Sequence, residues 1–280
     1  MRKRILLASD LHHCHLSWYG LSSGERMERL IRDLNAEYTR DPYEVILFLG
    51  DYSLDFWEWD TKGCYLNEGR SYTKEFVKKV CPRLPAPYLM IPGNHEQYGE
   101  ETWRAITGCS RKGTWTTDGW LFILLDNFSA NLDPDVHSDG TFTPIDVDDV
   151  REQMDAHPDR RVVLCSHHFD FDMETPEGCR LVQDPRIVCL ASGHVHRSDI
   201  VTLPDALGGK KILRTGHYSY AAAPDPLSFM HGFRELVLTE DALFSRYITP
   251  ENRIFLDGKA VDHPYGTQDE VRIPLHTEED

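Results

Sequence analysis

Five times along this chain a short, β-branched apolar run ends abruptly in polar residues. The runs are RILLASDLHH (4–13), VILFLGDYS (45–53), YLMIPGNHE (88–96), VVLCSHH (162–168) and IVCLASGHVH (187–196). Continuous apolar runs of this length mark strands buried on both faces, because a strand with one wet face alternates instead. Between the early runs lie helix-like segments. Residues 24–39 place Met27, Leu30, Ile31 and Leu34 at i, i+3, i+4 and i+7, one amphipathic face. Residues 71–81 open with Ser71 as a cap and offer Phe76, Val77 and Val80 as a second such face. Alternating strands and helices predict an α/β architecture with a largely parallel inner sheet. The later runs WLFILLD (120–126), KILRTGHYSY (211–220), FRELVLT (233–239) and ALFSRYI (242–248) follow one another with little helix between, which predicts a second, more antiparallel sheet. A single domain is expected over residues 1–250, with an aromatic insertion at about 52–70. The tail, residues 251–280, reads as extended and partly disordered.

Composition narrows the classes of function. A chain of 280 residues with 40% hydrophobic and 27% charged residues has ample core for an ordinary globular fold. The start, MRKRILLASDLHH, has too few apolar residues for a signal-peptide core, and no run is long enough to span a bilayer. The expected location is the cytoplasm, with no membrane partner. Cysteines 14, 64, 81, 109, 165, 179 and 189 are scattered and never form C-x-x-C, the pattern of a reducing compartment. Cys14, between histidines in HHCH, is a weak metal candidate. A net charge of −16 with no basic stripe argues against long nucleic acid as a partner. An acidic protein still binds a small anion where bound metal ions supply the local positive charge.

In α/β sheets, ligands bind just beyond the carboxyl ends of the strands, and all five polar clusters fall there. If the strands are neighbours, Asp10, His12, Asp51, Asn94, His95, His167, His194 and His196 converge on one rim. Asp10 and His12 are two residues apart, as are His194 and His196; in extended backbone such pairs point the same way. Gly50, Gly93 and Gly193 precede the candidates, where a glycine allows close backbone approach. Read alone, IPGNHEQY (91–98) is a turn; the other clusters give His95 company. No G-x-S-x-G elbow, P-loop or G-x-G-x-x-G accompanies the set. Carboxylate, carboxamide and several imidazoles suit divalent transition metals such as manganese, iron or zinc. Seven ligands exceed what one ion takes and suit two ions sharing a carboxylate.

The ordered series D-x-H (10–12), G-D (50–51), G-N-H-E (93–96), His167 and G-H-x-H (193–196) resembles the calcineurin-like metallophosphoesterase superfamily of binuclear metal phosphoesterases. The resemblance implies a four-layer α/β/β/α sandwich of two mixed sheets flanked by helices. It implies two divalent metal ions per chain (Mn²⁺, Fe²⁺/Fe³⁺ or Zn²⁺). Asp10, His12 and His196 would hold one, and Asn94, His167 and His194 the other, with Asp51 bridging. His167 is preferred to its neighbour His168 as the first residue after the strand. His95 would stand beside the metals as the catalytic residue, serving the leaving oxygen or a phosphoryl oxygen. The implied reaction is attack of a metal-bridging hydroxide on a small-molecule phosphodiester or phosphomonoester; the alternative is a non-catalytic binding scaffold of the same fold. Asn94 and Tyr98 are expected to touch substrate, and Glu96 and Asp55 to orient the ligand imidazoles. The sequence GDYSLDFW departs from the G-D-x-x-D-R-G of protein Ser/Thr phosphatases, which disfavours that branch. Phe56, Trp57, Trp59 and Tyr65 of the insertion would suit a flat leaving group if they overhang the metals. His217, Tyr218, Arg70 and Arg197 are further pocket candidates, each with an ordinary structural role as its plainer reading.

Overall fold

A computed structural model describes residues 2–18, 21–57, 70–133, 139–219, 231–250, 253–256, 259–262 and 266–275. The chain opens with β1 (Lys3–Ala8), a small hairpin of β2 (Ser17–Trp18) and β3 (Leu21–Ser22), helix α1 (Ser23–Arg40) and β4 (Val45–Leu49). Helix α2 (Tyr72–Lys79), β5 (Tyr88–Ile91), α3 (Glu100–Thr107), β6 (Gly113–Thr117) and β7 (Trp120–Leu124) follow. Then come α4 (Val147–Asp155), β8 (Arg161–Ser166), α5 (Pro176–Val182), β9 (Ile187–Ser192), β10 (Ile200–Thr202) and β11 (Lys211–Arg214). The chain closes with β12 (Phe233–Leu238), β13 (Ala242–Thr249), a hairpin of β14 (Arg253–Leu256) and β15 (Lys259–Asp262), and β16 (Gly266–Pro274).

Two six-stranded sheets result, in the orders β16-β13-β12-β1-β4-β5 and β10-β11-β9-β8-β7-β6. Both are mixed. In the first, β1, β4 and β5 are parallel, while β12 pairs antiparallel with β1, β13 with β12 and β16 with β13. In the second, β7, β8, β9 and β11 are parallel, with β6 and β10 antiparallel at the edges. The alternation of side chains along β1 shows how the layers stack. Ile5 and Leu7 join Val163, Cys165, Cys189 and Leu213 in the core between the sheets. Leu6 and Ala8 face the opposite way, against Leu30 and Leu34 of α1 and Phe76 of α2. On the far side, Val150 and Met154 of α4 and Leu181 of α5 cover Leu164 and Leu190 of the second sheet. This is the expected four-layer sandwich.

Local chemistry explains the elements. Helix α1 begins at a capping box in which Ser22 and Glu25 satisfy each other's backbone N–H, and it buries Met27, Leu30, Ile31 and Leu34 as the periodicity requires. Ser71 caps α2 by accepting from Lys74 N–H. Phe48 of β4 is fully buried, with edge-on contacts to Tyr52, Phe76 and Tyr88. Phe48→Ala is expected to cost about 3–5 kcal/mol, read as a lower denaturation midpoint with an unchanged slope.

The expected division of strands is corrected in two respects. The parallel inner sheet does not hold all five early runs: 162–168 and 187–196 build the second sheet, where β7 and β11 join them in parallel. Two of the later runs, β12 and β13, cross back to the first sheet. Apolar character reports burial and not which sheet does the burying. Within the tail, residues 266–274 form β16, which pairs with β13 from Ala242 opposite Pro274 to Thr249 opposite Gly266. Val271, Ile273 and Leu275 reach the inter-sheet core. Their alternation with Glu270, Arg272 and Pro274 is a strand signal that the prolines nearby had masked.

Candidate metal centre

Each polar cluster follows a strand end, and the two sheets bring those ends together. Asp10 and His12 follow β1, Asp51 follows β4, and Asn94 and His95 follow β5. His167 follows β8, and His194 and His196 follow β9. Within the first sheet, Asp10 N–H donates to Gly50 O at 3.1 Å, and Leu11 and His12 N–H both donate to Asp51 O, at 2.7 and 3.0 Å. Bonds across the sheets close the rim. His194 N–H donates to Asp10 Oδ2 at 3.0 Å, and His167 Nδ1 lies 2.6 Å from Leu49 O. The carbonyl of Leu49 accepts from Nδ1, so Nε2 of His167 is left to face the cluster.

The backbone reaches this arrangement by strain. Among the described residues, the non-glycine residues with positive φ are Asp10 (55°), His12 (46°), Asp51 (57°), His194 (66°) and His196 (57°). All five are candidate ligands. Left-handed backbone costs an ordinary residue about 1 kcal/mol or more. The paired residues therefore converge through tight left-handed turns, not through the extended chain that their spacing suggested. Glycines make room. A Cβ on Gly93 would lie 2.1 Å from Asp51 Oδ1, and one on Gly193 would lie 2.6 Å from Asp10 Oδ2.

Three groups of side chains lie close enough to hold a metal ion: Asp10, His12 and His196; Asp51, His167 and His194; and His12, Asp51 and His95. Asp51 Oδ2 lies 3.2 Å from His167 Nε2, 3.3 Å from His12 Nε2 and 3.6 Å from His95 Nε2. His196 Nε2 lies 3.2 Å from Asp10 Oδ1. Asn94 Oδ1 lies 2.9 Å from His167 Nε2 and 3.0 Å from His194 Nδ1. His168 stands outside the groups, its ring tilted against that of His194 with centroids 4.4 Å apart.

The electrostatics fit a cation. Burial pushes the His12 imidazole down to about 4 and that of His194 down to about 3, so both are neutral and able to ligate. Burial also opposes charge on His167 and on Asp51, yet their mutual attraction wins: His167 is raised to about 9 and Asp51 is held well below the usual carboxylate range. Asp10 is likewise held at about 2, against its burial, by His196. Asp10 Oδ1 is buried with His196 Nε2 at 3.2 Å. Two buried carboxylates drawing protons onto neighbouring imidazoles are compensated equally well by divalent cations, so this donor set fits metal ions.

Other candidates take structural places. Tyr98 is 6% exposed; its hydroxyl donates to Asp55 Oδ2 at 2.6 Å and its ring packs on Phe56. These contacts place it in the core. Glu96 accepts from the backbone N–H of Asp51, Ser53 and Gly93, and Asp55 from those of Tyr72 and Thr73. Glu96 therefore orders the loops that carry Asp51 and Asn94, and Asp55 the first turn of α2, where imidazole contacts had been expected. Imidazole partners come instead from Leu49 O and from Ser219, whose hydroxyl lies 3.1 Å from His12 Nδ1. A backbone carbonyl carries no sequence signal, and Ser219 carries almost none.

Cys14 packs beside Leu54, outside all three groups. Arg70 pairs with Glu75 over the Tyr72 ring, Arg197 with Asp199, and buried Tyr218 donates to Asp33. His217 is fully buried with its ring 5.8 Å from that of His196. Trp57 reaches within 6.1 Å of the His95 ring, whereas Trp59 and Tyr65 lie outside the described residues. Among the described residues no helix is long and apolar enough to cross a membrane.

Comparison with known proteins agrees with this architecture. The fold is similar to that of the purple acid phosphatase PPD1 from yellow lupin seeds, with a TM-score of 0.58 at 12% identity. That match covers 98% of this chain and 54% of the lupin chain, so this chain spans about half of the plant protein's length. It is also similar to GAP50, the anchor in the inner membrane complex of Plasmodium, with a TM-score of 0.53 at 11% identity, covering 96% of this chain and 90% of that one. No curated protein sequence matches the chain. Such distant likeness shows the fold alone, and a fold that serves a phosphatase and an anchor does not decide an activity. Residues 3–198, however, match the calcineurin-like phosphoesterase family, a stretch that begins at β1 and ends just past His196. By that match, the chain belongs to the calcineurin-like phosphoesterase family.

Proposed function

We propose that this chain is a binuclear metal-dependent hydrolase of a small-molecule phosphodiester or phosphomonoester. One observation carries the reading: a single carboxylate oxygen, Asp51 Oδ2, lies within 3.3 Å of imidazoles belonging to both ligand groups. Asp10, His12 and His196 would hold one ion, Asn94, His167 and His194 the other, with Asp51 shared. The chemistry such a centre would supply is a water of lowered pKa and positive charge to offset the phosphoryl oxygens. Asp51 fixes the relation between the two groups. Its Oδ1 also accepts from His95 N–H at 3.2 Å, which ties the placement of His95 to the ligand cluster. The His95 ring is 8% exposed and close to Trp57, where it is able to give a proton or hydrogen bond to a leaving oxygen at the mouth of the site. All seven ligand positions carry ligating side chains, which a purely scaffolding member has no need to keep.

The test is hydrolysis of bis(p-nitrophenyl) phosphate and p-nitrophenyl phosphate by chelated protein and by the same protein given Mn²⁺. Turnover is expected only with the metal, and the ratio of the two rates assigns the diester or monoester preference. Metal-loaded protein that turns over neither ester, nor any cyclic nucleotide, nucleotide sugar, glycerophosphodiester or sugar phosphate, would leave the scaffold reading in its place.

A further inference from the structure

Asp139 lies on the segment between β7 and α4, and its carboxylate reaches the centre that the two sheets build. Asn94 Nδ2 donates to Asp139 Oδ1 at 2.7 Å, and the same oxygen lies 3.6 Å from His95 Nδ1. The opposite end of that amide, Asn94 Oδ1, faces His167 Nε2 and His194 Nδ1. A carboxamide has a donor end and an acceptor end of nearly the same shape, so a neighbour must decide which end faces the imidazoles. A carboxylate is an acceptor only. Turned round, Asn94 would set its own oxygen against Asp139 Oδ1 and offer an NH₂ group, which ligates no cation, to His167 and His194.

We infer that Asp139 is a positioning residue, whose carboxylate locks the Asn94 amide with Oδ1 toward the ion that His167 and His194 would hold. The inference rests on the proposed metal centre. A second feature supports it independently. Gly140, at φ 69°, packs so closely that a Cβ there would lie 2.8 Å from Asn94 O and 3.1 Å from Asn94 Cα. The segment is thus fitted to Asn94 by backbone as well as by charge, and Gly140→Ala displaces the carboxylate without removing it.

Calorimetric titration of Mn²⁺ into the full chain tests this. Wild type is expected to bind two ions. Asp139→Ala is expected to weaken one of them by about ten- to a hundredfold, the range for losing an outer partner of a metal ligand, and to leave the other unchanged. Gly140→Ala should behave in the same way. Asp139→Glu, which keeps an acceptor-only carboxylate, should restore binding toward wild type, which a general loss of structure would not. The Asp139 side chain is 54% exposed, so the melting temperature of the protein without added metal should not move. Unaltered binding in Asp139→Ala, equal weakening of both ions, or an Asp139→Glu variant as weak as the alanine one overturns the inference. Wild type that takes up no manganese overturns the metal centre itself, and this inference with it.

Discussion

Asp51→Ala is expected to lose the bound metals and about 10⁴-fold or more in turnover of any phosphoester the wild type hydrolyses. Losing a partner one shell removed from a metal costs roughly ten- to a hundredfold in affinity or activity. Asp51 is closer than that and is shared, its Oδ2 lying within reach of both His12 and His167. A penalty of about a hundredfold at each of two sites compounds to about 10⁴. Stability offers a second readout. Asp51 is 1% exposed, so its carboxylate is held against a large desolvation cost by neighbouring imidazoles. Without metal, the alanine variant should melt near the wild-type temperature, since cost and compensation leave together. With metal the two should separate. Wild type at a hundred times its dissociation constant gains about 2.7 kcal/mol per ion, and the variant gains little. Metal analysis that finds two ions in Asp51→Ala, with turnover within tenfold of wild type, would falsify the shared-carboxylate reading.

The centre was more legible in the sequence than the sheets that carry it. Ligand side chains must be Asp, Asn or His, and they must sit where strands end; both conditions leave marks such as DLH, GNHE and GHVH. The assignment of strands to sheets leaves none, because Val163 in the second sheet and Val45 in the first bury into one shared core. The spacing argument reached residues that do converge, but through the wrong geometry: left-handed turns, not extended chain, carry Asp10 and His12, and His194 and His196. Close approach by Gly50, Gly93 and Gly193 is the readable trace of those turns. A Cβ on Gly50 would meet His167 Nδ1 at 2.5 Å and the backbone of Gly93 at 2.6 Å, a contact between both sheets at one residue. Asp139 was silent. A single acidic residue in a polar loop looks like solvated surface, and its bond to Asn94 becomes visible in the structure alone.

His95→Ala separates chemistry from assembly, and the geometry makes the outcome informative. His95 forms a third possible metal group with His12 and Asp51, so its role is not fixed by proximity alone. Distances favour a different duty. Its Nε2 stands 3.6 Å from Asp51 Oδ2, against 3.3 Å for His12 and 3.2 Å for His167. Its Nδ1 is buried without a hydrogen bond, and the ring lies edge-on to those of His12 and Trp57. A ligand would be lost together with its metal. A proton donor is lost alone, at a cost of about 10²–10⁴-fold in rate. His95→Ala is therefore expected to bind two manganese ions as wild type does and to fall about 10²–10⁴-fold in kcat on a substrate with a poor leaving group. On a nitrophenyl ester, whose leaving oxygen needs little protonation, the loss should be smaller. That dependence on leaving group identifies proton donation, because a residue that only binds phosphoryl oxygen would cost both substrates equally. Loss of an ion in the variant would place His95 among the ligands, and unchanged turnover on both substrates would remove it from the mechanism.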